Sequence, residues 1–277
     1  MSASLLPAHA PLLHTTVAGS PIAYRRHGRG RPLLLIHGWG GSSRYWRGTL
    51  ETLADQHDVI AIDLPGYGDS PALPGHTSGR QLAELVLAFA DQLGLDQFDL
   101  NGHSFSGGVA AYLAARAPQR VRRLVLSNFS TFRNERERQI VDQVHKVMTL
   151  WMMLRRPWMA ERRFFYRTVS SRFFYRTPND DALLRESFAD FLKMDTQTAV
   201  ESAASSSDPA INSALREIQC PTLIIGARHD NIMPTPGTFK AAEMIPTCRL
   251  VWIERCGHLP MIERPDVYHS LLAEFLG

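Results

Sequence analysis

Apolar residues along this chain fall into short unbroken runs, separated by stretches in which they recur every three or four positions. The runs are Pro32 to Ile36, Asp58 to Ile62, Gln97 to Leu100, Arg123 to Ser127, Thr222 to Gly226 and Arg249 to Ile253, rich in Val, Ile and Leu. Such runs predict strands buried on both faces, as in a parallel sheet covered by helices on either side. Ahead of them, Leu12 to Val17 and Ile22 to Arg26 flank Ala18-Gly19-Ser20 and predict an antiparallel hairpin at the sheet edge. Between the runs, Leu82, Leu85, Val86, Phe89 and Leu93 share one helical face within Ser78 to Leu93. Ser78 and Gln81 have the spacing of a capping box, and Gly94 supplies the stop. Pro265 opens a closing helix with the stripe Val267, Leu271, Leu272 and Phe275. The expected fold class is therefore α/β, a mostly parallel sheet flanked by helices.

The strand pattern lapses from about Phe129 to Ser207. Helical spacing replaces it, with Ile140, Val144, Val147, Met148 and Trp151 on one face. This divides the chain into a core of residues 1–128 and 208–277 and a helical insertion of residues 129–207, with Ser205-Ser206-Ser207-Asp208-Pro209 as the return linker. Inside the insertion, Arg163-Phe164-Phe165-Tyr166-Arg167-Thr168 recurs nine residues later as Arg172-Phe173-Phe174-Tyr175-Arg176-Thr177. Seven arginines against the single acid Glu161 between Arg155 and Arg176 could steer acidic substrates, touch a membrane surface or bind a partner. The plainer expectation is a local duplication whose rings pack inward while the guanidinium groups stay solvated.

Candidate chemistry begins at Gly102-His103-Ser104-Phe105-Ser106-Gly107-Gly108, which follows the strand-like Phe98-Asp99-Leu100 and precedes the alanine-rich Val109 to Ala117. That order sets Ser104 on a sharp corner between a strand and a helix, and small neighbours let the corner form. A serine hydroxyl is a weak nucleophile unless it is held exposed beside a base at a helix N-terminus. A glycine-rich turn with an incidental serine would share this local sequence, so the rest of the chain must supply the base and its partner.

At these residues the chain resembles the α/β-hydrolase superfamily, whose nucleophile elbow is Gly-x-Ser-x-Gly; Ser106 stands where that pattern has its second glycine. The resemblance implies an eight-stranded sheet, and it makes the insertion after the sixth strand a helical cap over the active site. It also implies the order serine, acid, histidine. Asp230, just past the strand at Thr222 to Ile225, and His258, just past the strand at Arg249 to Ile253, fit that order. Parallel strands present their C-terminal ends on one edge, where the three residues would meet. Asn128, at an alternative acid position in some members, is neutral. The loop His37-Gly38-Trp39-Gly40-Gly41 matches the oxyanion loop of the family, which makes the Trp39 and Phe105 amides the expected oxyanion donors. His37 and Asp63 are then expected to shape loops, His103 to pack or bond locally, and Cys256 to be a buried inert thiol.

The implied reaction is cofactor-free hydrolysis of a carboxylic ester through an acyl-enzyme. Lactone, thioester, perhydrolysis and carbon–carbon cleavage chemistry remain open, as does a receptor that binds a small ligand without turnover. Haloalkane dehalogenases and epoxide hydrolases of this superfamily place aspartate where Ser104 stands. Trp151, Trp158, Phe164 and Phe165 suggest an apolar or aromatic substrate. With 277 residues, 44% hydrophobic and 21% charged, the composition is that of a globular chain. A net charge of +3 without a nucleic-acid motif gives no reason to expect a nucleic-acid partner. Three cysteines without paired spacing imply neither a disulfide framework nor a metal site. No run is long enough for a membrane span and no leader is recognisable at the start, so a cytoplasmic location is expected; the sequence leaves a homodimer open.

Overall fold

The structure, a computed structural model, describes residues 10–139, 143, 152–233 and 235–277. Eight strands form one sheet: β1 (Leu12–Val17), β2 (Ser20–Gly28), β3 (Arg31–Ile36), β4 (His57–Ile62), β5 (Phe98–His103), β6 (Val121–Ser127), β7 (Thr222–Ala227) and β8 (Cys248–Ile253). Their spatial order is β1-β2-β4-β3-β5-β6-β7-β8. β1 and β2 are antiparallel and β2 is antiparallel to β4, whereas β4 to β8 run parallel. The hairpin between β1 and β2 turns on Ala18 and Gly19, both at positive φ, which matches the twist of the strands it joins.

The alternation of a pleated strand assigns the core to two sides. Leu34, Ile36, Ile60, Ile62, Leu100 and Leu126 face one side, against α2 (Gly79–Gln92) and α3 (Phe105–Arg116). Leu33, Leu35, Val59, Ala61, Val125 and Ile225 face the other, against Trp46, Leu50 of α1 (Arg47–Leu53), and Tyr268 and Leu272 of the closing helix Pro265–Leu276. The predicted capping box is present, with the Ser78 hydroxyl accepting from the Gln81 amide.

Between β6 and β7 the chain forms α4 (Arg163–Ser170), α5 (Asp181–Lys193), α6 (Thr196–Ser205) and α7 (Pro209–Ala214). Tyr166, Phe174, Leu184, Phe188 and Leu192 make a separate small core there. The expected linker at Ser205 to Pro209 spans the end of α6, a turn over residues 206–208 and the start of α7. Ser205 closes α6, and the Asp208 carboxylate accepts from the Ala210 amide as the cap of α7, the role for which short acidic side chains are suited. The stripe of Ile140, Val144, Val147, Met148 and Trp151 lies outside the described residues. The remaining elements are α8 (Thr235–Met244), α9 (Pro260–Glu263) and α10 (Pro265–Leu276).

β5 runs three residues beyond the apolar run that announced it, through Asn101 and Gly102 to His103. A polar residue is tolerated there because a closed triangle satisfies it: Asn101 Nδ2 donates to Tyr268 Oη at 2.8 Å, Ser127 Oγ donates to Asn101 Oδ1 at 3.0 Å, and Tyr268 Oη lies 2.8 Å from Ser127 Oγ. All three side chains are buried, and burial pushes the Tyr268 phenol up to about 12, so it remains a neutral donor. Tyr268→Phe strips a partner from two buried polar groups. It is expected to lower unfolding stability by about 1–3 kcal/mol, read as a reduced urea midpoint at unchanged m-value.

Candidate active site

Ser104 stands at the turn from β5 into α3 with φ +55 and ψ −122, a sparsely populated conformation for a residue with a Cβ. Neighbouring backbone holds it there: its amide donates to Ser127 O at 2.9 Å and its carbonyl accepts from the Gly107 amide at 2.9 Å. Gly102 is required, since a Cβ at that position would fall 2.2 Å from Ser106 O and 2.7 Å from Ala110 Cβ. Ser106 does more than tolerate the crowding. Its buried hydroxyl donates to His37 O at 2.5 Å and so ties the elbow to the loop after β3.

His258 lies in the loop after β8 and Asp230 in the loop after β7, and the fold brings both to Ser104. His258 Nε2 is 2.8 Å from Ser104 Oγ, and His258 Nδ1 is 2.8 Å from Asp230 Oδ2. The imidazole is 4% exposed and the carboxylate 2%. Burial pushes the Asp230 carboxyl up, but the charge of His258 and hydrogen bonds from His258, the Met233 amide and Asn128 outweigh it, and the group titrates below the ordinary carboxylate range. The Ile232 and Met233 amides donate to Oδ1 at 2.7 and 3.0 Å, while Asn128 Nδ2 donates to Oδ2 at 2.6 Å. In this arrangement Asp230 accepts a hydrogen bond from Nδ1–H, leaving the Nε2 lone pair free to face the hydroxyl.

A second set of contacts joins the three loops through neutral groups. The Gly38 amide donates to Tyr45 Oη, Tyr45 Oη lies 3.0 Å from His103 Nδ1, and His103 Nε2 lies 2.8 Å from His258 O. Burial drives the His103 pKa down to about 3 and holds the Tyr45 phenol well above its ordinary value. The ring is therefore neutral at ordinary pH, its Nε2–H donating to the His258 carbonyl and its Nδ1 accepting from the tyrosine. Gly38 approaches this ring so closely that a Cβ would lie 2.8 Å from His103 Nδ1 and 3.0 Å from Ser104 Cβ.

The other expected positions fall around this centre. Phe105 begins α3, so its amide belongs to the open first turn of a helix. Trp39 follows Gly38, with its indole N–H donating to Ala199 O of α6 at 2.9 Å and its ring 5.7 Å from that of Phe191. His37 accepts the Leu64 amide on Nε2 at 3.0 Å, and Asp63 accepts the Ser43 and Asp69 amides at 2.5 and 2.9 Å. Burial raises the Cys256 thiol to about 12, which keeps it protonated. Among the described residues, no group of three His, Cys, Asp or Glu gathers as metal ligands would.

A cavity of about 90 Å³ adjoins the site, with Trp39, His258, Phe173, Phe174, Phe188 and Phe191 in its lining. The aromatic expectation needs correction in its particulars. Trp158 and Phe164 are 55% and 73% exposed and do not line the cavity, Phe165 packs edge-on against Trp158, and Trp151 lies outside the described residues. Helix α4 turns its Val169 and Ser170 inward, and that places Phe164 on the solvent side.

Among the described lining residues, Arg44 is the one guanidinium. Its Nη1 donates to Asp190 Oδ1 at 2.6 Å, its Nη2 pairs with Asp69, and its Nε lies 3.8 Å from Glu186. Arg47 holds Glu186 through two bonds of 2.9 and 3.0 Å. Tyr45, Ser106, Asn128 and this ion cluster were not singled out as contributors by sequence reasoning, because no local pattern marks a residue whose partner lies tens of positions away. Ser106 carried a signal in its place at the second glycine of the elbow pattern, and Asn128 in its place in the loop after β6.

With the geometry in view, comparison with known proteins is informative. A sequence model for the alpha/beta hydrolase fold matches residues 31–265. The chain belongs to the α/β-hydrolase fold family. It is 31% identical over 257 residues, 88% of this chain and 93% of the relative, to a protein of Pseudomonas savastanoi pv. phaseolicola assigned by name to carbamate hydrolysis (RutD). It is also 31% identical over 280 residues, 98% of this chain and 96% of the relative, to a 2-hydroxymuconate semialdehyde hydrolase of Pseudomonas sp. strain CF600. A solved hydrolase of Pseudomonas aeruginosa superposes with a TM-score of 0.82 at 24% identity, covering 98% of this chain and all of that one, which is a likeness of fold. This α/β-hydrolase is an enzyme of the hydrolase class, as its named relatives are, and among its described residues no helix is long and apolar enough to cross a membrane.

The depressed Asp230 carboxyl makes an acid-stability prediction. A folded-state pKa below the unfolded value of about 3.9 contributes stability that is present above that pH and is lost as pH falls through the folded pKa. The stability difference between the native chain and Asp230→Asn should therefore shrink as pH is lowered below about 4. Urea midpoints at a series of pH values measure it, and a difference that stays constant would contradict the assignment.

Proposed function

We propose that this α/β-hydrolase is a serine esterase that cleaves a small, neutral, apolar carboxylic ester through an acyl-enzyme. The observation that carries the reading is the continuous set of 2.8 Å contacts from Ser104 Oγ through His258 to Asp230. In this reading Ser104 Oγ attacks the ester carbonyl as its proton passes to His258 Nε2, and Asp230 stabilises the resulting imidazolium. The Trp39 and Phe105 amides receive the negative charge on the carbonyl oxygen. As the tetrahedral adduct collapses, the C–O bond to the alcohol breaks and His258 returns the proton to the departing oxygen. A water, deprotonated by the same nitrogen, then releases the acid and restores the serine. The core is residues 1–128 and 208–277, and residues 129–207 act as a cap whose helices α4 and α5 roof the cavity. No cofactor enters this cycle.

The electrostatics of the cavity favour a neutral ester over an anionic substrate. The muconate in one relative's name denotes a carboxylate, and a carboxylate needs a free cation to compensate its desolvation. Arg44, the cation available in the described lining, is already committed to Asp190, Asp69 and Glu186. The described lining also holds Phe173, Phe174, Phe188 and Phe191 with Val169, Leu183 and Leu259, whose apolar surfaces reward apolar acyl groups by burial.

Two outcomes test this reading. A serine-directed phosphonate should label the native chain and leave Ser104→Ala unlabelled, and that variant should lose ester turnover by about 10³-fold or more. Persistent labelling of the variant would remove the nucleophile assignment, and labelling of the native chain without any ester turnover would favour a receptor. Second, kcat/KM for a neutral aryl or alkyl acyl ester should exceed that of its ω-carboxylate counterpart by about tenfold or more, a difference of about 1.4 kcal/mol. A preference for the carboxylate would point instead to the carbon–carbon hydrolase chemistry of the relative from strain CF600.

A further inference from the structure

The repeated hexapeptide takes two different structures. The first copy is the beginning of α4, where Arg163 and Arg167 both pair with Asp181. The second copy is not helical, although its six residues are identical. Pro178 follows it directly, disfavours helical geometry at Thr177, and limits any helix to fewer turns than could persist alone. The freed segment lies as a strap across the loop that carries His258.

Its hydrogen bonds there are made by its backbone. The His258 amide donates to Phe173 O at 2.6 Å. The Glu263 carboxylate, on α9, gathers three amides from the two sides of the junction. Its Oε2 accepts from Gly257 at 2.8 Å and from Tyr175 at 3.1 Å, and its Oε1 accepts from Arg176 at 2.6 Å. The approach is so close that a Cβ on Gly257 would lie 2.6 Å from Tyr175 N and 2.7 Å from Phe173 O. The same strap reaches the neighbouring acid loop, where the Tyr175 ring sits 4.3 Å from the ring of His229, next to Asp230. Phe173 and Phe174 meanwhile form part of the cavity wall, and the Phe173 ring lies 6.0 Å from that of His258.

We propose that Glu263 is a positioning residue: it latches the strap at Phe173 to Arg176 onto the Gly257-His258 loop, so that seating of the cavity wall and placement of the imidazole are one event. The proposal rests on the esterase reading for its kinetic consequence but not for its structural one. A carboxylate accepting three backbone amides makes charge-assisted bonds, stronger than neutral ones, that join the two loops directly. Releasing the latch frees the Phe173 carbonyl to leave the His258 amide, and a displacement of the imidazole by about 1 Å is enough to cost about 10²-fold in rate. A substrate that presses Phe173 and Phe174 into place thereby secures its own base.

The test uses the full chain with Glu263→Ala and Glu263→Gln, the latter keeping one acceptor oxygen. Amide hydrogen exchange at residues 173–176 and 257–258 should quicken by about tenfold or more in the alanine variant, with the glutamine variant between it and the native chain. Unchanged exchange overturns the latch, whether or not the protein proves to be an esterase. Kinetics then separate positioning from wall-building by means of an acetate ester too small to touch the strap. If Glu263 positions His258, kcat on acetate falls about 10- to 100-fold in the alanine variant and recovers in part with glutamine. If only KM for bulky esters rises while acetate kcat is native, the strap is a wall alone and the proposal fails. Should the alanine variant not fold, the glutamine variant decides by the same readouts, and native exchange with native acetate kcat overturns the proposal. Failure of the esterase reading would appear separately, as absent turnover and absent phosphonate labelling in the native chain.

Discussion

The neutrality of His103 is the condition on which the assembly of the site depends. Its ring accepts from Tyr45 on one nitrogen and donates to the His258 carbonyl on the other, and Tyr45 in turn receives the Gly38 amide. The loop after β3, the elbow after β5 and the loop after β8 are thus joined by one continuous set of hydrogen bonds. A charged imidazolium would offer two donors and no acceptor, and the contact with Tyr45 would have to reverse or break. Burial removes that alternative by holding the ring pKa near 3. The residue beside Ser104 therefore acts as a fixed joint between the loops.

Strain at Ser104 is supported by the same economy of contacts. The backbone there lies in a conformation costing about 1–3 kcal/mol, and it persists because surrounding elements leave no other path. Gly102 lets α3 approach β5, the Ser127 carbonyl receives the Ser104 amide, and Ser106 binds the helix to the loop of His37. Asn128, itself at φ +48, bridges Asp230 and Gly257 O, so that the neutral residue in the loop after β6 braces the carboxylate in the loop after β7. Asn101, Ser106, Ser127 and the Asn128 amide nitrogen each bond a neighbour from a different strand or loop, which makes this edge stiff and its geometry specific.

The helical segment between β6 and β7 contributes both shape and charge to the cavity. Its phenylalanines supply an apolar wall, and Glu186 and Asp190 neutralise an arginine that would otherwise present a free positive charge beside it. Burial raises the Asp190 carboxyl, opposed by the charge of Arg44 and the hydroxyl of Ser42, so this carboxylate depends on its partners to remain ionised.

Much of this protein is legible in its sequence because the relevant forces are local. Unbroken apolar runs give strands buried on both faces, Ser78 with Gln81 gives a helix start, and Gly102 to Gly108 gives a corner on which a serine must stand. The family resemblance supplied the order of Ser104, Asp230 and His258, and their places after β5, β7 and β8 let them meet because parallel strands send their C-terminal ends to one edge. Tertiary structure decided what no short window contains. It carried β5 through Asn101 and Gly102 by closing a triangle with Ser127 and Tyr268. It turned Phe164 to solvent and Phe174 to the interior, and it gave two identical hexapeptides different conformations. The physical reason is the same in each case: a buried polar group or an amphipathic ring takes the state its distant neighbours can satisfy, and those neighbours are fixed by the fold and not by adjacency in the chain.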